Sequence, residues 1–208
     1  GLAGGSSNAA ATLIGLNKLW NLNLDSKTLI SIASELGSDV PFFIEGGCKF
    51  CFGRGEILEK CNSVFEYGVI LLKNPRISIS TAVTYAEYSK TFCRNTILER
   101  QNVNKIRENL KLKFLQDSKG LLQLRKITND LQIVVENKND SVKQSLKLLS
   151  NLEKCMCYSM SGSGPTCFAL FKNIDLAKEE FHKNKEIFKS EGFDVWVCKF
   201  INTGITFL

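Results

Sequence analysis

The 208-residue sequence is poor in several features whose absence limits the chemistry it can perform. Its single histidine, His182, lies in a lysine-rich stretch, so neither a Ser-His-Asp catalytic set nor a histidine-based zinc site is expected. No apolar run reaches the roughly 18 residues of a membrane-spanning helix, so no membrane partner is expected. The sequence shows no charged segment followed by an apolar one at its start, so no signal or transit peptide is expected. The Gly-x-x-x-x-Gly-Lys-Ser/Thr signature of a P-loop is also absent.

Cysteine is comparatively abundant, with eight residues, but its spacing does not favour a metal site. The pair Cys48-x-x-Cys51 has metal-like spacing, whereas its nearest partner pair, Cys155-x-Cys157, does not. Several cysteines lie in alternating apolar runs, where a thiol acts as a small hydrophobic group. We therefore expect reduced thiols and no zinc site.

The bulk composition favours a folded protein with a sizeable core. Hydrophobic residues make up 44% of the chain, and 14 of them are phenylalanine. The net charge of +6 comes from lysines mixed with acidic residues, which is typical of solvated helix faces. A nucleic-acid partner is therefore not expected, although an anionic small molecule would be attracted.

Hydrophobic periodicity predicts an α+β protein. A helix is predicted from Asn8 to Trp20, with Ser6, Ser7 or Asn8 as its N-cap. The other predicted helices start at 26, 39 and 80 or cover 121–135, 142–152 and 175–190. The predicted strands cover 48–52, 56–58, 65–72, 156–160, 167–171 and 194–201, and the tail 202–208 adds a little more strand. The polar stretch 89–117 has no informative pattern.

The first candidate binding segment is the start of the chain, Gly1-Leu2-Ala3-Gly4-Gly5-Ser6-Ser7-Asn8, directly before an apolar helical pattern. Glycines allow an anion to approach the backbone, and the free N–H groups of a helix N-terminus favour negative charge. The alternative is a flexible lead-in to an ordinary capped helix. No strand precedes this segment, so it is not a dinucleotide fingerprint.

The second candidate is Gly37-Ser38-Asp39-Val40-Pro41, which has the pattern of a helix start. A carboxylate at a helix N-terminus is stabilised in its charged form, so Asp39 is expected to be ionised at neutral pH and able to accept a proton or orient a hydroxyl. The alternative role of Asp39 is plain helix capping.

The third candidate is Ser161-Gly162-Ser163-Gly164-Pro165-Thr166, between two predicted strands. Its glycines permit close approach of a bulky ligand to the backbone. The alternative is a tight hairpin turn without a ligand.

Together these segments resemble the motifs of the GHMP small-molecule kinases, a family that includes galactose, homoserine and mevalonate kinases. Residues 1–10 resemble the second family motif, and residues 161–166 resemble the third. The segments 36–43, 53–56, 79–85 and 129–131 resemble the branch that phosphorylates a cytidine diphosphate-linked methylerythritol in the non-mevalonate isoprenoid pathway, in its plastid and cyanobacterial form.

The resemblance implies a two-lobed α+β fold in which a partial N-terminal lobe lacks its first strands and the C-terminal lobe is a ferredoxin-like sandwich. Residues 1–73 would be the remainder of the N-terminal, ATP-binding domain, and residues 74–208 the C-terminal domain. It implies transfer of the ATP γ-phosphoryl group to the 2-hydroxyl of the substrate, with Mg²⁺. Asp39 matches the catalytic aspartate of the family. The ATP-binding positions are Gly1, Leu2, Ala3, Gly4, Gly5, Ser6, Ser7 and Asn8. The substrate-binding positions are Thr81, Tyr85, Gly162, Ser163 and Gly164, with Tyr85 stacking on cytosine.

The resemblance also places the catalytic lysine of the family in a segment before Gly1, so we expect this piece alone to show little kinase activity. The expected assembly is a monomer or homodimer, in a plastid stroma if the source is eukaryotic and in the cytoplasm if it is bacterial. Two alternatives are another GHMP kinase, of the homoserine or mevalonate type, and a non-catalytic nucleotide-binding protein of the same fold.

Overall fold

A computed structural model of the chain describes residues 1–61, 66–92, 105, 107–108 and 127–207. The polar stretch 89–117 and the first part of the predicted helix 121–135 lie largely outside the described residues. The chain forms two compact units. The N-terminal unit comprises Ala3–Phe65 and Ile201–Leu208, and the C-terminal unit comprises Gly1–Leu2 and Glu66–Phe200. Among the described helices, none has the length and apolar character needed to cross a membrane.

The N-terminal unit consists of three helices and a hairpin. Its helices are α1 (Gly4–Leu19), α2 (Ser26–Leu36) and α3 (Val40–Glu45), and its strands are β1 (Lys49–Phe52) and β2 (Ile57–Lys60), which pair antiparallel. Ala10, Ala33 and Val40 form its buried centre, with one residue from each helix. Small residues at this centre let the three helices approach closely.

Helix α1 begins four residues earlier than predicted, and the predicted N-cap is wrong. Ala3 occupies the cap position with a left-handed φ of 48°, and its side chain makes no capping hydrogen bond. The Ser7 N–H donates to the Ala3 carbonyl over 3.0 Å, which closes the first turn. The hydroxyl and amide residues at 6–8 therefore lie inside the helix, because the backbone conformation of Ala3 starts it without a side-chain cap.

Helix α2 has the predicted bounds, and Asp25 caps it by accepting a hydrogen bond from the Thr28 N–H over 2.9 Å. The helical spacing of its apolar residues predicts that Leu29, Ile30, Ala33 and Leu36 face inward. Leu29 and Ala33 are buried and Ile30 is half-buried. Leu36 is 60% exposed, so its predicted burial is wrong. It lies at the last helical position before Gly37, where the chain leaves the helix.

The C-terminal unit is a four-stranded antiparallel sheet packed against helices. Its strands are β3 (Gly68–Lys73), β4 (Cys157–Met160), β5 (Cys167–Phe171) and β6 (Asp194–Lys199), in the spatial order β4-β5-β3-β6. Its described helices are α4 (Thr81–Phe92), α5 (Gln132–Glu136), α6 (Asp140–Ser150) and α7 (Ile174–Ser190). The order of strands and helices along the chain is that of the predicted ferredoxin-like lobe.

The alternation of side chains along β3 divides the core of this unit between the two faces of the sheet. Ile70 and Leu72 belong to the larger cluster, which includes Leu149 of α6 and Phe188 of α7. Val69 belongs to a smaller cluster on the opposite face. Two antiparallel neighbours, β5 and β6, cover both edges of β3, so this strand lies at the centre of the unit.

Two predicted elements differ from the structure. Residues 127–131 are not helical, and the described helix covers only Gln132–Glu136, because the Asn129 side chain accepts a hydrogen bond from the Leu131 N–H and forms a turn first. Within the described part of the tail, 202–207, no strand forms. Instead, Gly204 and Ile205 donate backbone hydrogen bonds to carbonyls of α3.

The units divide near residues 65 and 200, whereas the predicted domain boundary follows residue 73. Strand β3 precedes that boundary but is the central strand of the C-terminal unit, and the tail returns to the N-terminal unit. The division into domains 1–73 and 74–208 remains a prediction.

The burial pattern predicts different costs for the same substitution in two helices. Leu149→Ala removes a fully buried side chain in α6 and should lower the free energy of unfolding by about 2–5 kcal/mol. Leu36→Ala, at an exposed position in α2, should change it by no more than about 0.5 kcal/mol. Urea unfolding of the full natural protein measures both, and equal losses would contradict the assigned burial.

Candidate functional site

The C-terminal unit contains a cleft of about 520 Å³ beside the β4–β5 turn. Helix α4 contributes Tyr85 and Tyr88, whose spacing of three residues places both rings on one helix face. The other walls come from the segment before α5 and from the sheet, and the remaining lining residues are Thr128, Asn129, Asp130, Leu131, Met160, Ser161, Gly162 and Phe168. Aromatic and polar groups thus line one opening, a combination suited to a ligand that carries a ring and hydroxyls.

The predicted glycine segment between β4 and β5 forms a tight turn. The Ser161 N–H donates to the Thr166 carbonyl over 2.9 Å, and the Gly164 N–H donates to the Ser161 carbonyl over 2.9 Å. Gly162 and Gly164 have φ values of 55° and 76°, a region that favours glycine. A Cβ atom at Gly164 would lie 2.7 Å from the Met160 sulfur, so this position has no room for a side chain.

Asn129 holds this turn from a distant point in the sequence. Its Nδ2 donates to the carbonyls of Met160, over 2.7 Å, and Gly162, over 2.8 Å, while its Oδ1 accepts from the Leu131 N–H over 3.0 Å. Every polar atom of the side chain is therefore used. The Asn-Asp-Leu pattern at 129–131 points to this position, but the partners of Asn129 lie about 30 residues away and no local pattern reveals them.

The predicted substrate-binding residues of this unit fall into two groups. Tyr85 and Gly162 line the cleft, and the Tyr85 side chain is 59% exposed. Thr81 and Ser163 do not line it, and their hydroxyls lie 2.8 Å apart in a hydrogen bond with each other. Gly164 is buried within the turn. The Thr81–Ser163 bond joins the start of α4 to the turn, so these two residues connect the walls of the cleft.

The start of the chain is also connected to the β4–β5 turn. The Ser161 hydroxyl donates to the Gly1 carbonyl over 2.6 Å, and a Cβ atom at Gly1 would lie 3.1 Å from the Gly164 carbonyl oxygen. Leu2 follows with an exposed side chain. Two of the predicted phosphate-binding residues therefore belong to the C-terminal unit.

The remaining residues of that segment form the first turns of α1. Gly4 and Gly5 are exposed, and a Cβ atom on either would meet nothing within 4 Å. Ser6 and Ser7 are half-buried, and Asn8 is exposed. The first turn contains no acidic residue, so no negative side chain on it competes with an anion for the helix N-terminus.

Asp39 occupies the N-cap position of α3, but its side chain makes no capping hydrogen bond. Other cap residues of the chain, such as Asp25 and Asn173, accept one from a backbone N–H. Gly55 lies nearby, since a Cβ atom there would be 3.7 Å from Asp39 Oδ1. The alternative of plain capping therefore does not describe this exposed carboxylate.

The described cysteines carry free thiols, of which Cys61, Cys157 and Cys167 are buried. All seven described cysteines are free, and no group of three or more His, Cys, Asp or Glu side chains among the described residues has a metal-binding arrangement. Burial raises the pKa of Cys155 and Cys167 to about 12. Burial, and then the Asp39 charge, raise the pKa of Cys51. At neutral pH these thiols are protonated and poorly nucleophilic.

Two protein-family models match separate parts of the chain. The family described as "GHMP kinases N terminal domain" matches residues 1–47. The family described as "GHMP kinases C terminal" matches residues 100–190.

Curated relatives match the whole chain. A 4-diphosphocytidyl-2-C-methyl-D-erythritol kinase from Prochlorococcus marinus (strain MIT 9515) is 64% identical over all 208 residues, which cover 67% of that protein. The protein of the same name from strain NATL1A is 42% identical over 206 residues, which cover 99% of this chain and 65% of that protein. The chain thus spans about two thirds of the length of its curated relatives.

Solved structures share the fold at low sequence identity. A 4-(cytidine 5'-diphospho)-2C-methyl-D-erythritol kinase matches with a TM-score of 0.64 and 23% identity, over 94% of this chain and 64% of that one. An L. major mevalonate kinase matches with a TM-score of 0.65 and 16% identity, over 96% of this chain and 66% of that one. These matches establish the architecture.

The bonds of Asn129 predict that its donor is essential to the turn. Asn129→Asp places a carboxylate oxygen against the Met160 and Gly162 carbonyls and should lower the free energy of unfolding by about 1–3 kcal/mol. Amide hydrogen exchange of the peptide 159–168 should become faster. Asn173→Asp is the matched control, because the cap bond to the Leu176 N–H needs only the oxygen. Equal behaviour of the two variants would contradict the role of the Asn129 donor.

Proposed function

Because the chain belongs to the GHMP kinase family, among the 4-diphosphocytidyl-2-C-methyl-D-erythritol kinases, we propose that the protein containing it transfers the ATP γ-phosphoryl group to the 2-hydroxyl of 4-diphosphocytidyl-2-C-methyl-D-erythritol. The family matches and the curated relatives confirm the predicted resemblance, and the solved structures confirm the predicted fold class. The reaction belongs to the non-mevalonate isoprenoid pathway. Identity of 61–64% over the full chain carries the proposal. The homoserine and mevalonate kinase matches have 16% identity and support the shared fold alone.

ATP is the phosphoryl donor of GHMP kinases, and the segment Gly1–Asn8 is proposed to hold its phosphates. The open space at Gly4 and Gly5 admits a phosphate close to the backbone. The N–H groups of the first helical turn have no partner within the helix, and the helix dipole favours an anion there. The half-buried hydroxyls of Ser6 and Ser7 add donors of restricted orientation.

Mg²⁺ is proposed to arrive with the nucleotide. The described residues offer no cluster of three or more potential ligands, so they do not form an all-protein metal cage. Mg²⁺ at a nucleotide site is commonly held mainly by phosphates and water, with one or two protein groups, so it does not need such a cage. When bound, the ion neutralises phosphate charge.

Asp39 is proposed to orient the substrate hydroxyl and to accept its proton. The carboxylate is exposed and is not engaged as a helix cap, so its oxygens remain available to a hydroxyl donor. An alcohol is much less acidic than a carboxylic acid, so proton transfer follows much of the bond formation to phosphorus. The larger contribution of Asp39 is then orientation of the attacking oxygen.

The cleft beside the β4–β5 turn is proposed to take the cytidyl part of the substrate. Tyr85 presents an exposed ring at this cleft, and an aromatic face is suited to stacking on cytosine. Gly162 provides backbone without a side chain at the cleft wall, and the Thr81–Ser163 bond fixes the turn behind it. Gly164 allows that turn to close.

The relatives named above are cyanobacterial, and the protein is proposed to act in the cytoplasm if its source is bacterial or in a plastid stroma if it is eukaryotic. Its proposed partner is the small-molecule substrate, and its proposed assembly is a monomer or homodimer. Neither a nucleic acid nor a membrane is part of the proposal.

The proposed role of Asp39 predicts a large loss of rate in Asp39→Asn. In the full natural protein this variant should lose at least about 100-fold in kcat, because the neutral amide orients the hydroxyl less strongly than the carboxylate and cannot accept its proton. Asp25→Asn is the matched control, since an Asn oxygen can still accept from the Thr28 N–H. ADP formation with the cytidyl substrate, homoserine and mevalonate is measured in parallel. Preference for homoserine or mevalonate would overturn the substrate assignment, and failure with all three would favour a non-catalytic nucleotide-binding protein.

The proposed stacking predicts a loss of substrate affinity in Tyr85→Ala. The KM for the cytidyl substrate should rise about 5- to 13-fold, in line with about 1–1.5 kcal/mol for an aromatic pair, while the KM for ATP stays within about twofold. Tyr85→Phe should retain most of the affinity. Val83→Ala, two residues away and also exposed, is the control. A Tyr85→Ala variant with unchanged KM would remove Tyr85 from the substrate site.

A further inference from the structure

The described tail, residues 203–207, packs on the helices of the N-terminal unit. The Gly204 N–H donates to the Glu45 carbonyl over 3.1 Å, and the Ile205 N–H donates to the Phe43 carbonyl over 3.2 Å. Both acceptors belong to the last turn of α3, where a helix has carbonyls without internal partners. The tail therefore satisfies the C-terminal end of the helix that Asp39 precedes.

Glycines on both sides make this approach possible. A Cβ atom at Gly204 would lie 2.5 Å from the Phe43 carbonyl oxygen, and one at Gly46 would lie 2.2 Å from the Gly204 nitrogen. Real Cβ atoms do not approach other atoms so closely, so any side chain at either position would displace the tail from α3. Gly46 also has a φ of 65°, which allows the chain to turn directly after the helix.

Side chains of the tail connect it to the other elements of the unit. Ile205 packs against the buried cluster of Ala10, Ala33 and Val40, and Val40 directly follows Asp39 in the sequence. The Lys18 ammonium lies 3.8 Å from the centre of the Phe207 ring, which joins the tail to the last turn of α1.

Helix α3 needs such support because it has only six residues. A helix of this length is not stable by itself, so its position depends on packing and on hydrogen bonds from neighbouring segments. The position of Asp39 follows the position of α3, since the residue immediately precedes the first helical turn.

We propose that residues 203–207 form a positioning segment for Asp39, holding α3 so that the carboxylate keeps its reactive orientation. This inference rests on the proposed function for the role of Asp39. It assigns the tail an effect on kcat exerted through Asp39, without contact of the tail with substrate.

Gly204→Ala in the full natural protein tests the proposal, because the added methyl forces the tail away from the Phe43 carbonyl. The kcat should fall about 10- to 100-fold while both KM values stay within about twofold, since small misplacement of a reacting group has effects of this size. Amide hydrogen exchange of the peptide 40–46 should become faster. Gly15→Ala in α1 is the control, since a Cβ there meets nothing within 4 Å, and should leave kcat and exchange unchanged.

A double variant separates positioning from general loss of structure. If the tail acts through Asp39, Gly204→Ala should change the residual kcat of Asp39→Asn by no more than about twofold. If the kcat losses of the two single variants multiply in the double variant, the proposal is overturned. An unchanged kcat in Gly204→Ala would also overturn it. If Gly204→Ala does not fold, Ile205→Val keeps the backbone donor and removes one methyl group from a half-buried side chain. It should reduce kcat by a smaller factor, again only when Asp39 is present.

The same assays distinguish this proposal from the proposed function. No phosphoryl transfer by the unmodified protein would overturn the proposed function and, with it, the role of Asp39. Normal transfer by both the unmodified protein and Gly204→Ala would overturn only the positioning role of the tail.

Discussion

Backbone polar groups of both units find their partners in segments far away in the sequence, and the candidate site depends on this constraint. Buried N–H and carbonyl groups are costly without hydrogen bonds, and irregular segments cannot supply all of them locally. The β4–β5 turn uses the amide of Asn129 for this purpose. Helix α3 uses the N–H groups of the tail. In each case a distant residue fixes the place of a segment that carries proposed functional groups.

The elements that sequence patterns predict well are those whose partners are local or whose burial is periodic. Strand β5 and helix α7 match their predicted bounds to within one residue, because β5 is a short apolar run and α7 repeats its apolar residues at helical spacing. The start of α3 after Asp39 was also predicted, since Pro41 suits a first helical turn. The family resemblance then predicts which segments bind the two proposed ligands, and those assignments stay predictions.

The predictions that failed required information absent from local sequence. Ser6, Ser7 and Asn8 are good capping residues, but the left-handed conformation of Ala3 started α1 before them. Leu36 has the spacing of an inward residue, yet its side chain is 60% exposed at the end of the helix. The roles of Asn129 and Gly204 are invisible to periodicity, because each depends on carbonyl groups that only the folded chain brings near.

The turn and the tail also show why glycine cannot be interpreted by motif alone. Gly4 and Gly5 leave open space around α1, which suits a ligand that approaches the backbone. Gly164 and Gly204 are tightly surrounded by protein atoms, so their lack of a side chain serves internal packing. Glycines at the turn motif and in the tail therefore let protein segments meet, whereas the open space at Gly4 and Gly5 fits the proposed ligand. Because kinases of different names share the architecture at 16% identity, the backbone fold by itself does not identify a substrate. The proposed substrate assignment therefore depends on side chains such as Tyr85, which lines the cleft.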